Sequence, residues 1–357
     1  MRKLDEKDKA FLMQGTVIPA HPLALTEQRE LDEAAQRRLT QYYLASGAGG
    51  IAVAVHSTQF EIRDPNINLL EKVLALAIEE IEKAALDRPF LKIAGVCGPT
   101  EQAVAEARLA KGLGYDLGLL SMGGLQSWTE AEILDRVRAV AEEIPVFGFY
   151  LQPSVGGRVF SFEFWRQFVD IEGVEAIKCA SFNRYQTLDV MRALADSSRY
   201  QDVAMYTGND DNIVADLLTS YRFPQKEGGG EVVLEFKGGL LGHWAVWTQR
   251  AVELLDEIKR VKKEGTAADH ARMLSKGIEV TDSNAAFFDP AHDFAGCIPG
   301  IHEVLRRQGL LRGTWCLNPE EVLSPGQYEE ITRVYSQYPD LNDDDFVTRF
   351  LDQHRLL

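Results

Sequence analysis

Short unbroken apolar runs recur along this chain, each followed by a longer stretch in which apolar residues return every three or four positions. The first run is Gly15-Thr16-Val17-Ile18-Pro19-Ala20. After Thr26, read as a helix N-cap, Leu31, Ala34, Ala35, Leu39 and Tyr42 recur at helical spacing until Ser46-Gly47-Ala48-Gly49-Gly50 ends the helix. The second run, Ile51-Ala52-Val53-Ala54-Val55, is followed by a helix from about Asn68 to Ala85. Leu91 to Val96 is the third run, and Pro99 opens a helix to about Lys111. Leu117 to Ser121 is the fourth, with a helix from Thr129 to Glu142 after it. The fifth run, Ile144 to Phe149, ends on Tyr150 and leads to a helix from Phe162 to Val169. The sixth, Gly173 to Ser181, leads to a helix from Leu188 to Ala195, and the seventh is Val203 to Tyr206. A helix from Asn212 to Tyr221 and the loop Glu227-Gly228-Gly229-Gly230 lead to the eighth, Val232 to Phe236.

Continuous apolar runs are the pattern of parallel strands covered on both faces. Eight strand–helix units in roughly 245 residues predict a closed (β/α)8 TIM barrel. Gly-x-Gly-x-x-Gly is absent after the first strand, which weighs against a dinucleotide site. From about Gly265 the pattern turns helical and irregular. The expected division is a barrel over residues 10–262 carrying the active site and a C-terminal helical extension over 263–357.

The net charge of −16 argues against nucleic-acid or membrane-surface partners. An anionic substrate then needs local basic groups. Cys97, Cys179, Cys297 and Cys316 show no metal-type spacing and read as reduced thiols of a cytoplasmic protein. The charged N-terminus lacks an apolar signal core, and no apolar run approaches the ~18 residues of a membrane helix.

Barrel active sites form where strands end, and polar residues collect there. Lys178 stands at the inner end of the sixth run, 28 positions after Tyr150 (178 minus 150). Burial disfavours the ammonium form, lowers the lysine pKa and leaves free amine to attack a carbonyl. His56-Ser57-Thr58-Gln59-Phe60-Glu61 follows the second run, Gly208-Asn209-Asp210 the seventh, and Lys237-Gly238-Gly239 and His243-Trp244 the eighth.

These residues resemble the dihydrodipicolinate synthase and N-acetylneuraminate lyase family of Schiff-base aldolases. Ala45 to Ile51 resembles the family segment before strand two. His56 to Glu61 stands where the family has Gly-Thr-Thr-Gly-Glu, and Tyr150-Leu151-Gln152-Pro153-Ser154 is similar to its Tyr-Asn-x-Pro-Ser. Ile177-Lys178 stands where it has Ile-Lys, and Gly208-Asn209-Asp210 resembles its Gly-Asp-Asp. The likeness runs in order from about residue 13 to 260. The resemblance implies an imine on Lys178, proton relay by Tyr150, and substrate binding by Ser57, Thr58 and Gly208. It also implies a 2-oxo acid or sugar-acid substrate such as pyruvate, no metal or organic cofactor, and a homotetramer or homodimer. The departures are equally specific. The glycines of the strand-two motif are replaced, Ser121-Met122-Gly123-Gly124 lacks the family tyrosine, and Val155 stands where the synthases carry an arginine.

Arg184 follows the lysine strand, and its planar fork suits a second carboxylate. His243 is a further substrate-binding candidate. Each residue also has a structural reading: a solvated strand-end lysine, a tyrosine capping the core, loop hydroxyls and a solvated arginine. Lys237 is the rival amine. Asp282, Asp289, His292 and Asp293 match no metal spacing and read as a solvated turn. Besides a lyase, two classes stay open: a barrel that binds a small molecule without turnover, and an oxidoreductase or isomerase holding a phosphate-bearing cofactor at Gly238-Gly239.

Overall fold

The structure is a computed structural model describing residues 1–224 and 230–355. Glu227, Gly228 and Gly229 of the expected glycine loop lie outside the described residues. Along the chain the elements are α1 (Glu6–Gln14), β1 (Val17–Pro19), α2 (Glu33–Ala45), β2 (Gly50–Val53), α3 (Leu70–Ala84), β3 (Leu91–Val96), α4 (Thr100–Gly112) and β4 (Leu117–Ser121). Then come α5 (Glu130–Ala141), β5 (Val146–Leu151), α6 (Phe162–Val169), β6 (Val174–Ala180), α7 (Arg184–Ala195), β7 (Ala204–Thr207), α8 (Ile213–Leu218), β8 (Ser220–Pro224) and β9 (Glu231–Leu241). The chain ends with α9 (Thr248–Glu264), α10 (Ala267–Phe288), α11 (Cys297–Arg307), α12 (Gln327–Gln337) and α13 (Asp344–Arg355). Eight parallel strands, β1–β7 and β9, form a nearly closed (β/α)8 barrel with helices between them, and α10–α13 make a C-terminal helical extension.

The chain divides into two compact units, one of Met1–Thr16 with Leu91–Leu240 and one of Val17–Phe90 with Leu241–Leu357. In the first, strands β3-β4-β5-β6-β7-β9 lie side by side in parallel. Their apolar residues are buried because helices cover one face and the strands' own side chains fill the other. The helix starts are written in the sequence. Thr129 and Glu132 form a reciprocal capping box on α5, Ser161 caps α6, and the Asn183 carboxamide accepts from Tyr185 and Gln186 at the start of α7. Helix α1 is tied to the strands by the ion pair of Lys9 with buried Glu175 and by the Tyr206 hydroxyl, which donates to the Leu12 carbonyl at 2.9 Å.

In the second unit, β1 and β2 are joined through the His21 N–H, which donates to the Ala52 carbonyl at 2.8 Å. The Tyr42 hydroxyl of α2 donates to buried Asp343 at 2.7 Å, which ties the barrel helix to the segment before α13. Burial pushes the Tyr42 phenol well above its ordinary value.

Three expectations are corrected. Asp32, not Thr26, caps α2, accepting from Ala35 at 3.0 Å, while Thr26 closes a turn by accepting from Arg29 and Glu30. The expected helix from Asn212 to Tyr221 stops at Leu218. Ser220–Pro224 instead pairs antiparallel with the first half of β9, whose residues alternate between exposed and buried. Gly238 and Gly239 lie inside β9 rather than at a helix start. Among the described residues, no helix is long and apolar enough to cross a membrane.

Candidate active site

One lateral row of the first unit's sheet defines the site. Ser121 of β4 pairs with Phe149 of β5, Phe149 with Lys178 of β6, Lys178 with Tyr206 of β7, and Tyr206 with Gly238 of β9. Neighbours in parallel register present their side chains to the same face, and successive residues alternate. The other face is turned to the helices. A Cβ on Gly148 would meet Phe168 of α6, and Cys179 contacts Thr187 of α7 at 3.6 Å. Lys178 therefore points away from the helices.

Lys178 is 7% exposed, and its amine sits 4.4 Å from the centroid of the Phe149 ring. Burial drives the Lys178 pKa down to about 8, opposed by the negative charge of Asp210. Gly208 leaves the room this side chain occupies. A Cβ there would stand 2.5 Å from Lys178 Cε and 2.9 Å from both Lys178 Cγ and the Ala180 Cβ. Asp210 is buried two residues on, its N–H donating to the Gly208 carbonyl at 3.1 Å. It is the carboxylate that the sequence reading passed over, although it stands in the quoted Gly-Asn-Asp triplet.

Tyr150 is not brought together with Lys178. Its register partner is Cys179, so it lies on the helix-covered face, packed on Trp165 at 4.8 Å and edge-on to Phe160 at 6.0 Å. Burial pushes its phenol up to about 12. The hydroxyl has no well-formed hydrogen bond among the described residues, although the Phe160 backbone is near enough to oppose the upward shift.

Arg184 is engaged within the fold. Its guanidinium pairs with Asp216, which is 1% exposed, and lies 3.9 Å from Asp211. Asp216 also accepts from Thr207 Oγ1 at 2.7 Å, Asn209 Nδ2 at 2.8 Å and Asn212 Nδ2 at 2.9 Å. Asn209 Oδ1 in turn accepts from the Phe182 N–H at 3.0 Å. This network locks together the loops that follow β6 and β7, the loops that carry the ends of the lysine strand and its neighbour.

The rival amine is resolved by a bulge. Met205 pairs with Phe236 but Tyr206 with Gly238, so Lys237 is the extra residue and shares no row with Lys178. Gly238 and Gly239 pack against the backbone of Thr16. A Cβ on Gly238 would lie 2.2 Å from the Thr16 carbonyl oxygen, and the Gly239 N–H donates to that same carbonyl at 3.2 Å.

In the second unit, Ser57 and Thr58 form a buried turn after β2, and both hydroxyls donate to the His21 carbonyl, at 3.3 and 2.6 Å. Thr58 Oγ1 also accepts from the Val55 N–H at 3.2 Å. His243 is buried, stacked on Phe287 at 5.5 Å, and accepts at Nδ1 from Asn284 Nδ2 at 3.3 Å. Burial lowers its pKa to about 4, so its ring is neutral at physiological pH. It lines a cleft of about 120 Å³ with Trp247, Lys276 and Val280. Asp282 is bound by Arg333 at 2.7 and 2.9 Å and by Tyr338 at 2.7 Å, and His292 donates to Asp289 at 2.6 Å. Among the described residues, no group of three His, Cys, Asp or Glu is arranged to hold a metal.

A barrel whose sixth strand ends on a buried, pKa-lowered amine belongs to a recognisable structural class. Dihydrodipicolinate synthase from Oceanobacillus iheyensis superposes with a TM-score of 0.72 over 93% of this chain and 99% of that one, at 17% identity. N-acetylneuraminate lyase from Fusobacterium nucleatum complexed with pyruvate gives 0.71 over the same shares, also at 17%. At such identities the likeness establishes the fold. In sequence, N-acetylneuraminate lyase from Escherichia coli SMS-3-5 is 26% identical over 197 residues, 54% of this chain and 61% of the lyase. The chain thus spans less than two thirds of the length of the curated relatives it matches. No family model matches it. The chain is thus similar to dihydrodipicolinate synthases and N-acetylneuraminate lyases in fold, and over 54% of its length to N-acetylneuraminate lyases in sequence.

Proposed function

We propose that this protein is a Schiff-base lyase acting on a 2-oxo acid or sugar acid, with Lys178 as the amine. The observation that carries the reading is the burial of Lys178 with its pKa lowered to about 8, in a space that Gly208 keeps open. The lyase chemistry of the similar proteins supports the class of reaction. The free amine attacks the C2 carbonyl carbon and the carbinolamine loses water to give an iminium. In aldol cleavage the C4 hydroxyl gives up its proton and becomes a carbonyl while the iminium accepts the electron pair of the C3–C4 bond, giving an enamine. In dehydration the iminium accepts the pair of the C3–H bond as that proton is removed, and the enamine then expels the C4 hydroxyl, which takes a proton and leaves as water. The electron sink is the covalent adduct itself, so the proposed reaction calls on no metal or organic cofactor.

A proton must move in each of these steps. The resemblance implies Tyr150 for this role, but its register partner is Cys179 and its ring packs on Trp165. Asp210 is the better carrier: it is buried, its charge acts on Lys178, and it follows the glycine that the lysine passes. Arg184 then holds the loops in place through Asp216 rather than gripping substrate. Thr58, in the turn that Gln59 closes, is proposed, as the resemblance implies, to receive the carboxylate.

The face taken by Tyr150 favours one second reading, a barrel that forms the imine but does not turn over. Incubation with N-acetylneuraminate and shorter sugar acids, with released pyruvate measured by coupled reduction, separates the two. Pyruvate release supports aldol cleavage, and loss of water from the acid, read by mass, supports dehydration. An adduct on Lys178 with neither pyruvate release nor loss of water from any acid overturns turnover and leaves the binding protein.

A further inference from the structure

Gln59 breaks three rules of its position at once. It stands where the similar family has a glycine, and its backbone keeps φ at +66°, on the side of conformational space that glycine enters freely and other residues seldom do. Its polar side chain is 1% exposed. A large side chain persists in a strained, buried position when the surroundings hold it there for a reason.

The surroundings are a strap from the C-terminal extension. The Leu317 N–H donates to Gln59 Oε1 at 2.6 Å. One residue earlier the Cys316 carbonyl accepts from Arg29 Nη1 at 2.6 Å, and Arg312 pairs with buried Asp32 at 3.3 Å. A backbone N–H only donates, so the oxygen end of the Gln59 carboxamide is fixed on the strap and the NH2 end is left to find another partner. That NH2 is buried with no hydrogen-bond partner among the described residues. Buried donors are nearly always satisfied, and one that is not calls for an acceptor. Gln59 directly follows Ser57 and Thr58, whose hydroxyls are already committed to the His21 carbonyl.

We propose that Gln59 is a specificity-determining residue whose side-chain NH2 donates to a carboxylate oxygen of a small 2-oxo acid held by the Ser57–Gln59 turn, with the Leu317 strap setting its direction. The inference rests on the reading of this turn as the carboxylate site. It gives the C-terminal extension a part in ligand selection: the family's glycine offers only backbone there, whereas this chain adds a side-chain donor steered from 258 residues away.

The test measures pyruvate binding by titration calorimetry on the full chain, with Gln59→Gly and Gln59→Glu beside the wild type. Gln59→Gly removes the donor and relieves the backbone. Gln59→Glu keeps an oxygen for Leu317 but replaces the donor with negative charge. Both are expected to weaken binding by on the order of ten- to a hundredfold, the scale of a lost hydrogen bond to a charged group, with unfolding temperatures close to wild type. Wild-type affinity in both variants overturns the proposal. Wild-type affinity in Gln59→Glu alone also overturns it, because the oxygen's bond to the strap then accounts for the residue. Wild-type protein that does not bind pyruvate overturns the turn's role and this inference, whereas turnover of another 2-oxo acid with an adduct on Lys178 would still uphold the proposed lyase.

Discussion

The amine of Lys178 lies 4.4 Å from the centre of the Phe149 ring, its register neighbour on β5. Two opposed effects act on it. Removal from water favours the neutral amine, while the ring face and the Asp210 charge favour the ammonium. Burial wins, and the pKa settles at about 8 instead of 10.5. At pH 7 that leaves roughly a tenth of the amine free, against well under a thousandth for an ordinary lysine.

Adduct formation with pyruvate should therefore rise about tenfold per pH unit below 8 and level off above it. Phe149→Leu removes the ring and keeps the site apolar. The ammonium loses about 0.5–2 kcal/mol of support, so the inflection should fall by roughly 0.4–1.5 pH units and the rate at pH 7 should increase. Borohydride-trapping rates between pH 5 and 10 measure both. A rate that keeps climbing to pH 10 would mean that Lys178 is not desolvated in solution.

Gly208→Ala places a methyl group 2.5 Å from Lys178 Cε and 2.9 Å from the Ala180 Cβ. The lysine must swing aside. Adduct formation should drop on the order of a hundredfold, as misplacement of a reacting group by about 1 Å can do, with the circular dichroism spectrum unchanged. Wild-type trapping rates in this variant would show that the lysine takes another path.

Tyr150→Phe tests the face assignment. A hydroxyl without a well-formed partner on the helix side of the sheet contributes little, so turnover should stay within a few-fold of wild type. The unfolding temperature should hold or rise slightly, because a poorly satisfied buried group is removed. A turnover loss of the order of a hundredfold, the scale of a general acid–base group, would place the phenol in proton transfer after all.

The barrel was legible in the sequence because strands buried on both faces read as unbroken apolar runs, as Ile51–Val55 and Leu117–Leu120 do. β8 was not. A hairpin strand exposes every second residue, and Ser220-Tyr221-Arg222-Phe223 passes for the end of a helix. Lys178 was legible because a charged residue at the end of an apolar run has few explanations. The face of Tyr150 was hidden for a different reason. Strand periodicity is two, so a one-residue change in register reverses every side chain, and the irregularity between Val146 and Phe147 in the β5–β6 pairing leaves no mark in the sequence. Arg184 found its partner 32 residues away, in Asp216, which no local pattern announces.

The central claim is that Lys178 attacks a ketone. Protein incubated with pyruvate at pH 8 and reduced with borohydride should gain the mass of a reduced pyruvate adduct, and peptide mapping should place it on the fragment containing Lys178. Lys178→Ala should gain none. An adduct on Lys237, or equal labelling of Lys178→Ala and wild type, would contradict the account.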